Sequence, residues 1–569
     1  MARPSRSVPR SDFRDLAVRA LLGLAGGIAV WAVIRWTPSA EPMKALRVIL
    51  ALAALTLPVV LLGAYGTLRT RTLALWTLAA AGVSVLGGLG RTGVPITDGH
   101  LPIPEGGILF LTCLALAIGH VLVRARDGGD KAGPNWSRHF SIAWSDGLRA
   151  LLSAVLVGVL LGLFGLAAGL FKVIGLEQVD AFLFRPGVLW PVSGLVFGLG
   201  VHFTAGRESL AEGVRVFGLG LLAWFSPLLA LLVAAFLASL PFTGLEPLWK
   251  TGSAAALLMG ACVGLIVLVT AAIQEETNPA KIPRLLRYTV RLGGLLMAPL
   301  VAIAAVGVFL RIGQYGLSPD RVRALACLLV LAVFAGGHAL AALSRRGWLD
   351  AFGKANLAGV VAALAATLFT LSLPGDPYRL SVMDQTRRLI SGQVAPDRFD
   401  FDVLRFDTGE PGRAALRRLA ARQGATPRDA EIRQLAAAAL ARTWRERVRL
   451  GAPVVTVVGS SPLPAGFLES DATRPCDAES PCSATSLDIS GDGRPEVLLQ
   501  RRVQLEVWAS EGEGWRRLGE MDSGCSSDLE AFQAGNIRII TPEIVVRDVQ
   551  VGTVRYQLIP DRFQCPPQG

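Results

Sequence analysis

Charge is what this sequence has least of. Asp, Glu, Lys and Arg make up 18% of its 569 residues, against about 25% in ordinary soluble domains. The deficit is uneven: long stretches carry no charge, while the last third is rich in Arg, Asp and Glu. With 52% hydrophobic residues and a mean hydropathy of +0.48, a single soluble domain is excluded. The pattern is a polytopic membrane body followed by soluble modules.

Histidine is scarce too. The five residues fall at positions 100, 120, 139, 202 and 338, so the C-terminal third has none and a His-dependent active site there is excluded. Nowhere is there a G-x-S-x-G elbow, a P-loop, an H-E-x-x-H pair or a dinucleotide fingerprint after a strand, which leaves no nucleophile–base or nucleotide chemistry to assign. An acid-pair hydrolase in the C-terminal third has no positive support, so an enzyme is the weakest of the function classes. The net charge of +12 does not point to nucleic acid, because no basic face with interleaved aromatics is present. Much of the excess lies in short segments flanking apolar runs, where it orients helices in a membrane.

What is present is a series of eleven apolar runs: Ala20–Ile34, Leu46–Tyr65, Leu73–Leu89, Ile108–Val123, Ala150–Phe171, Gly187–Thr204, Val216–Leu240, Gly252–Ile273, Leu292–Leu310, Ala324–Leu343 and Asn356–Leu373. At about 1.5 Å per residue each is long enough, or nearly so, to cross a hydrocarbon core of roughly 30 Å. Pro58, Pro191, Pro227 and Pro299 lie inside runs, as membrane helices tolerate. The first run follows a basic N-terminus, but WTPSAEP after it offers no small-x-small cleavage site, so it reads as a retained helix rather than a signal peptide. The expected fold class is mainly α, a transmembrane bundle over residues 1–374, then a juxtamembrane helical segment 375–451 and a β-rich domain 452–569.

Lys and Arg orient the bundle. With the N-terminus in the cytoplasm, the cytoplasmic loops hold about twice as many of them as the outer loops. Eleven crossings then put the C-terminal module outside a bacterial inner membrane. Cysteine usage agrees. Cys113, Cys262 and Cys327 lie in apolar runs as packing residues, whereas Cys476, Cys482, Cys525 and Cys565 all fall in the tail. Four cysteines in an exported module read as disulfides, with three pairings open. The Cys-x5-Cys spacing fits no zinc template well.

Within the tail, Thr426-Pro427-Arg428-Asp429 reads as an N-cap with Pro at the first helical position. It opens a helix with an apolar stripe at Ile432, Leu435, Ala436, Ala439 and Leu440 and a stop at Gly451. An earlier helix over Arg413–Gln423, ending at Gly424, would make a helical hairpin with it. Strands are expected around Val497–Leu499, Val503–Val507, Ile537–Ile540, Glu543–Val546 and Thr553–Leu558.

Three sets of residues could carry function. The first is Asp488-Ile-Ser490-Gly-Asp492-Gly-Arg494-Pro-Glu496. Oxygen ligands at positions 1, 3, 5 and 9, with the position 7 carbonyl, can wrap one structural calcium ion. The competing reading is an Asp/Gly-rich turn closed by its own side chains. This loop resembles the calcium loops of FG-GAP β-propeller repeats, with Ser490 and Glu496 departing from their Asp/Asn pattern, and with one copy no propeller is implied. The second set is polar residues in or at the ends of apolar runs: His120, His202, His338, Glu275 and Glu276. They are either a proton or substrate path, or groups satisfied by neighbouring helices and by cytosol.

The third set carries a family resemblance. Arg311-Ile-Gly-Gln-Tyr315-Gly316-Leu317-Ser-Pro-Asp-Arg321, the segment Ser381-Val-Met-Asp-Gln-Thr-Arg-Arg-Leu389, and Phe399-Asp400-Phe-Asp402-Val-Leu-Arg405 occur in that order. Together they resemble bacterial multi-pass membrane proteins catalogued as domain of unknown function 4153. That resemblance implies an integral inner-membrane protein and supplies no catalytic residues. Physically, Arg311 and Arg321 flanking Tyr315 read as an interfacial anchor of a helix end, or else as a contact for a lipid phosphate or substrate.

Two functions remain. The membrane body moves or flips a small molecule or lipid, or it anchors an exported module that binds an envelope protein or small-molecule ligand. Eleven spans are more than an anchor needs, which favours transport.

Overall fold

The structure, a computed structural model, describes residues 10–36, 41–89, 106–127, 136–176, 178–205, 208–250, 253–274, 276, 278–424, 426–442, 454–459, 461–473, 476, 481–501, 504–512, 514–522, 532–539, 549–551 and 554–556. The chain divides into two compact units, Met1–Ala441 and Arg442–Gly569.

Among the described residues of the first unit, eleven helices are long and apolar enough to cross a membrane. They are α1 (Arg10–Arg35), α2 (Glu41–Ala64), α3 (Thr70–Gly88), α4 (Gly106–Asp127), α5 (Trp136–Val173), α7 (Pro186–Ala205), α8 (Glu208–Thr243), α10 (Ala254–Ile273), α11 (Arg284–Tyr315), α12 (Pro319–Leu343) and α13 (Trp348–Leu371). Two short helices, α6 (Gln178–Leu183) and α9 (Glu246–Lys250), lie between them. Each expected apolar run falls on one long helix. Leu151, Val155, Val159, Leu163 and Leu166 of α5 and Phe217, Leu221, Trp224, Leu228 and Leu231 of α8 are exposed. Such broad apolar faces are the pattern of a multi-pass membrane protein.

The helices overrun their apolar runs. The α5 helix begins at Trp136 rather than near Ala150, and α11 at Arg284 rather than near Leu292. A helix satisfies its backbone internally whatever the side chains, so it continues into polar turns for as long as these find water or partners. Those extra turns of α5 carry the side chains that matter below.

Packing follows small residues. Gly23 and Gly27 of α1 face Gly194 and Gly198 of α7 so closely that an added Cβ at any of them would overlap backbone of the opposite helix. Such small-xxx-small contact lets two helix backbones approach within van der Waals distance. The main core joins α8 and α10–α13 through Leu265, Val290, Met297, Leu300 and Phe352. Cys262 is buried in it, as expected. Cys113 and Cys327 are exposed, so they are not core residues as anticipated; Cys113 lines a cavity among the helices.

Among the described residues this unit also holds α14 (Pro377–Ile390), α15 (Gly409–Ala420) and α16 (Pro427–Ala441). Asp376 caps α14 by accepting the Tyr378 N–H at 3.0 Å. At the start of α16 Thr426 Oγ1 accepts the Asp429 N–H at 3.1 Å and donates to Asp429 Oδ2 at 2.6 Å. That is the anticipated N-cap, made reciprocal. The Thr426 hydroxyl, then Arg422, hold the Asp429 carboxyl down to about 2. Helix α15 starts four residues before Arg413, and its last helical residue is Ala420 rather than Gln423. Leu404, Leu416, Leu419, Ile432 and Ala436 form the hairpin core. The proposed stop at Gly451 lies outside the described residues.

The second unit holds a five-stranded sheet in the order β1-β2-β3-β4-β5, from β1 (Val455–Val457), β2 (Cys482–Leu487), β3 (Glu496–Arg501), β4 (Gln504–Glu511) and β5 (Gly514–Asp522). The β1–β2 pair is parallel and the others antiparallel. A separate hairpin pairs β6 (Val549–Val551) with β7 (Val554–Tyr556). Ile537 and Ile539 are not in a strand, correcting that expectation, and Glu543–Val546 lies outside the described residues. Cys476 and Cys482 form a disulfide beside Phe467 and Val497 in the core of the sheet. Cys525 and Cys565 lie outside the described residues.

Candidate functional site

A cavity of about 620 Å³ opens among the helices of the first unit, lined from α1, α2, α4, α5, α7, α10 and α13. Leu55, Val59, Leu116, Phe140, Phe197 and Val360 make most of its wall apolar. Its polar groups gather on α4 and α5. Asp146 is the hub: its Oδ1 takes the Arg124 guanidinium in a close ion pair and lies 3.6 Å from Arg149 Nη1. Its Oδ2 faces His120 Nε2 at 3.7 Å.

That last pair is set by a bond on the other side of the ring. Trp76 Nε1 donates to His120 Nδ1 at 3.2 Å, in a buried position. An indole N–H can only donate, so Nδ1 must accept and the ring proton sits on Nε2. His120 is thereby held neutral, with its N–H toward Asp146 but beyond hydrogen-bond reach. His120 Nε2 and Asp146 Oδ2 are both buried without a hydrogen-bond partner among the described residues. Two guanidinium groups thus meet one carboxylate, and Arg19 and His139 also line the wall.

Of these residues only His120 stood out in the sequence. Asp146 and Arg149 lie outside the apolar run, which begins at Ala150. A signal was there: His139, Asp146 and Arg149 are spaced seven and three apart, as one face of a helix requires.

The other intramembrane candidates are not brought to this cavity. His338 is fully buried; its Nδ1 lies 2.8 Å from the Phe334 carbonyl one turn back, and its ring packs edge-on against Phe352. His202 packs against Phe203 and does not line the cavity. Glu276 accepts the Asn278 N–H at 2.9 Å and pairs with Lys281 at 3.4 Å, closing the turn after α10. Glu275 lies outside the described residues. Glu276 is thus held by its own turn, and neither it nor His202 nor His338 lines the cavity.

The family-like elements do meet, and α14 joins them. One face of it grips the turn between α11 and α12. Asp384 Oδ2 accepts the Leu317 N–H at 2.7 Å, Ser381 Oγ donates to the Leu317 carbonyl at 3.0 Å, and Gln385 Nε2 donates to the carbonyls of Tyr315 and Leu317. Arg388 Nη2 donates to the Gln314 carbonyl at 3.1 Å, capping the C-terminal end of α11. Gly316 has φ +75° there, the left-handed conformation that suits glycine. Val382 and Leu389 of α14 pack with Phe401 and Leu404. Asp400 starts that next turn by accepting the N–H groups of Asp402 and Val403. Asp402 is buried, while Arg405 stacks over Phe406 at 5.6 Å.

The anchoring reading of Arg321 needs correction. Its Nη1 donates to the Gly316 carbonyl at 2.7 Å and its guanidinium lies over Tyr315 at 5.4 Å, so it closes the turn rather than reaching for water. Arg311, in contrast, is exposed.

In the Asp488 loop the carboxylates are turned onto main chain. Asp488 accepts the Gly491 and Gly493 N–H groups at 2.8 and 3.0 Å, and Asp492 accepts the Arg494 N–H at 2.8 Å. Glu496 accepts the N–H groups of Ile489 and Ser490 at 2.7 and 3.0 Å. Among the described residues no group of three or more His, Cys, Asp or Glu side chains is arranged to hold a metal ion.

No family model, no curated protein and no solved structure matches this chain. The resemblance to the domain-of-unknown-function family therefore stands on the quoted residues alone.

Proposed function

We propose that the first unit sits in a bacterial inner membrane with its N-terminus in the cytoplasm, and that it moves or flips a small amphipathic molecule or lipid through the cavity around Asp146. The observation that carries this reading is the unmatched pair His120–Asp146 at 3.7 Å beside two arginines, on the wall of an otherwise apolar cavity. Ionisable side chains among membrane helices are costly unless they have work to do. A volume near 620 Å³ is in the range of small-molecule sites, roughly 300–1,000 Å³. Arginines on an otherwise apolar wall favour a substrate with an anionic head and an apolar body.

Vesicles carrying the full-length protein and a nitrobenzoxadiazole-labelled phosphatidylglycerol test the lipid form. Dithionite should bleach label from both leaflets with wild type and about half of it with Asp146→Asn or with the cavity-filling Ala143→Trp. Half-bleaching with wild type would sink the lipid form. Phosphatase and cytoplasmic-fluorescence fusions after Arg405 test the orientation.

A second reading, the anchor for an exported ligand- or partner-binding module, draws on the Cys476–Cys482 disulfide, which suits an oxidising compartment. A structural calcium in the Asp488 loop would belong to it, since a carboxylate that accepts backbone N–H groups still has lone pairs to offer. Removing residues 443–569 discriminates: a carrier keeps its flux, a tethered module loses its function.

A further inference from the structure

A second cleft, of about 460 Å³, lies at the far end of α11 and is lined by Trp249, Gly307, Leu310, Arg311, Gln314, Tyr315 and Arg321. It has a direction. Gly307, Leu310, Arg311 and Gln314 follow one face of α11 at helical spacing, so the cleft climbs about 10 Å along the helix axis. Its inner end is apolar: the Trp249 indole sits against Gly307, where a Cβ would meet its ring. Its outer end is cationic: Arg321 is fixed by the Gly316 carbonyl and by Tyr315, and Arg311 stands one helical turn above Gly307.

The charges at the outer end are not balanced by the protein. Arg321 has Arg311 and Arg388 as cationic electrostatic neighbours against Asp320 as the anionic one. Asp320 pairs with Arg323, and Asp384 is bonded to the Leu317 N–H. No carboxylate lines the cleft, and Arg311 has neither a hydrogen bond nor an ion pair among the described residues. Arg388 directs its guanidinium to the carbonyls of Ile312, Gly313 and Gln314, which leaves Arg311 and the stacked Arg321 to meet a ligand.

We propose that this cleft binds one anionic phospholipid, its phosphate between Arg311 and Arg321 and the upper part of an acyl chain against Trp249 and Leu310. A gradient from indole and leucine to two guanidinium groups within about 10 Å matches a lipid crossing from hydrocarbon to headgroup. A soluble phosphate compound would use only the outer half. The Arg321–Gly316–Tyr315 geometry holds one cation in place before binding, so little side-chain freedom is lost when the lipid arrives.

Native mass spectrometry of the full-length protein tests this, with dioleoyl phosphatidylglycerol, dioleoyl phosphatidylcholine and soluble glycerol phosphate as probes. Wild type should retain phosphatidylglycerol in preference to phosphatidylcholine. Arg311→Gln should weaken phosphatidylglycerol about fivefold, the effect of roughly one interfacial cation, and Arg311→Lys should restore most of it. Trp249→Leu should weaken both lipids. Arg345→Gln, at the opposite end of α12, should change nothing. Unchanged phosphatidylglycerol retention in Arg311→Gln, or its displacement by equimolar glycerol phosphate, would overturn the proposal.

Discussion

The two ends of the helical unit each gather arginine and aspartate from several helices, and they use them differently. At the α14 clasp, Asp384, Ser381, Gln385 and Arg388 end on main-chain groups of residues 312–317. Around the cavity, the side chains of Arg124, Arg149 and His120 converge on Asp146, and the His120–Asp146 gap is left open at 3.7 Å. A carbonyl cannot turn away without undoing its turn, so the clasp fixes a shape. Side chains that pair with side chains can exchange partners when a ligand arrives. Where the partners are, more than how many charges there are, separates scaffold from candidate site.

The comparison can be broken at several points. The largest stability effect should come from Asp384→Ala, which strands the part-buried Leu317 N–H and costs about 1–3 kcal/mol; chemical denaturation in detergent would show it. Asp146→Asn keeps the shape but leaves the largely buried Arg124 guanidinium without its anionic partner, so some stability is lost as well; the readout that discriminates is the flux of labelled lipid, which should be lost. If labelled lipid still crosses at the wild-type rate, the cluster is scaffold and the carrier reading loses its support.

Smaller still is Trp76→Phe. It removes one hydrogen bond, about 1 kcal/mol, and frees the His120 ring to turn relative to Asp146. The flux of labelled lipid should therefore change from that of wild type with little loss of stability. The smallest effect should be at α16. The Asp429 carboxyl, held at about 2, lies below the roughly 3.9 of an unfolded chain. Its stabilisation is thus full above about pH 4 and is lost as pH falls from there toward 2. Asp429→Asn should flatten that acid limb of the melting curve.

How much of this was legible can be judged residue by residue. The eleven helices were, because a run such as Gly252–Ile273 can satisfy its backbone in hydrocarbon only as a helix. The Thr426 cap was, because its partners lie within three residues. His120 was visible only as an oddity, and Asp146 was hidden by its place outside the apolar run. The clasp was visible only as two odd motifs: residues 315–317 and 381–385 are about 70 positions apart, and nothing local says that one reads the other's backbone.

Glycine spacing shows the same limit. Gly158, Gly162, Gly165 and Gly169 of α5 repeat the small-residue pattern of α1 and α7, yet a Cβ at any of them would meet nothing within 4 Å, whereas Gly23 and Gly194 are in backbone contact. The sequence by itself determined where helices form and which faces are apolar, since backbone satisfaction and burial of apolar surface are local, additive demands. Only the tertiary structure decided which glycine stripe became an interface, which aspartate became a hub and which arginines were left for a ligand. Those outcomes depend on what another helix brings to the same place.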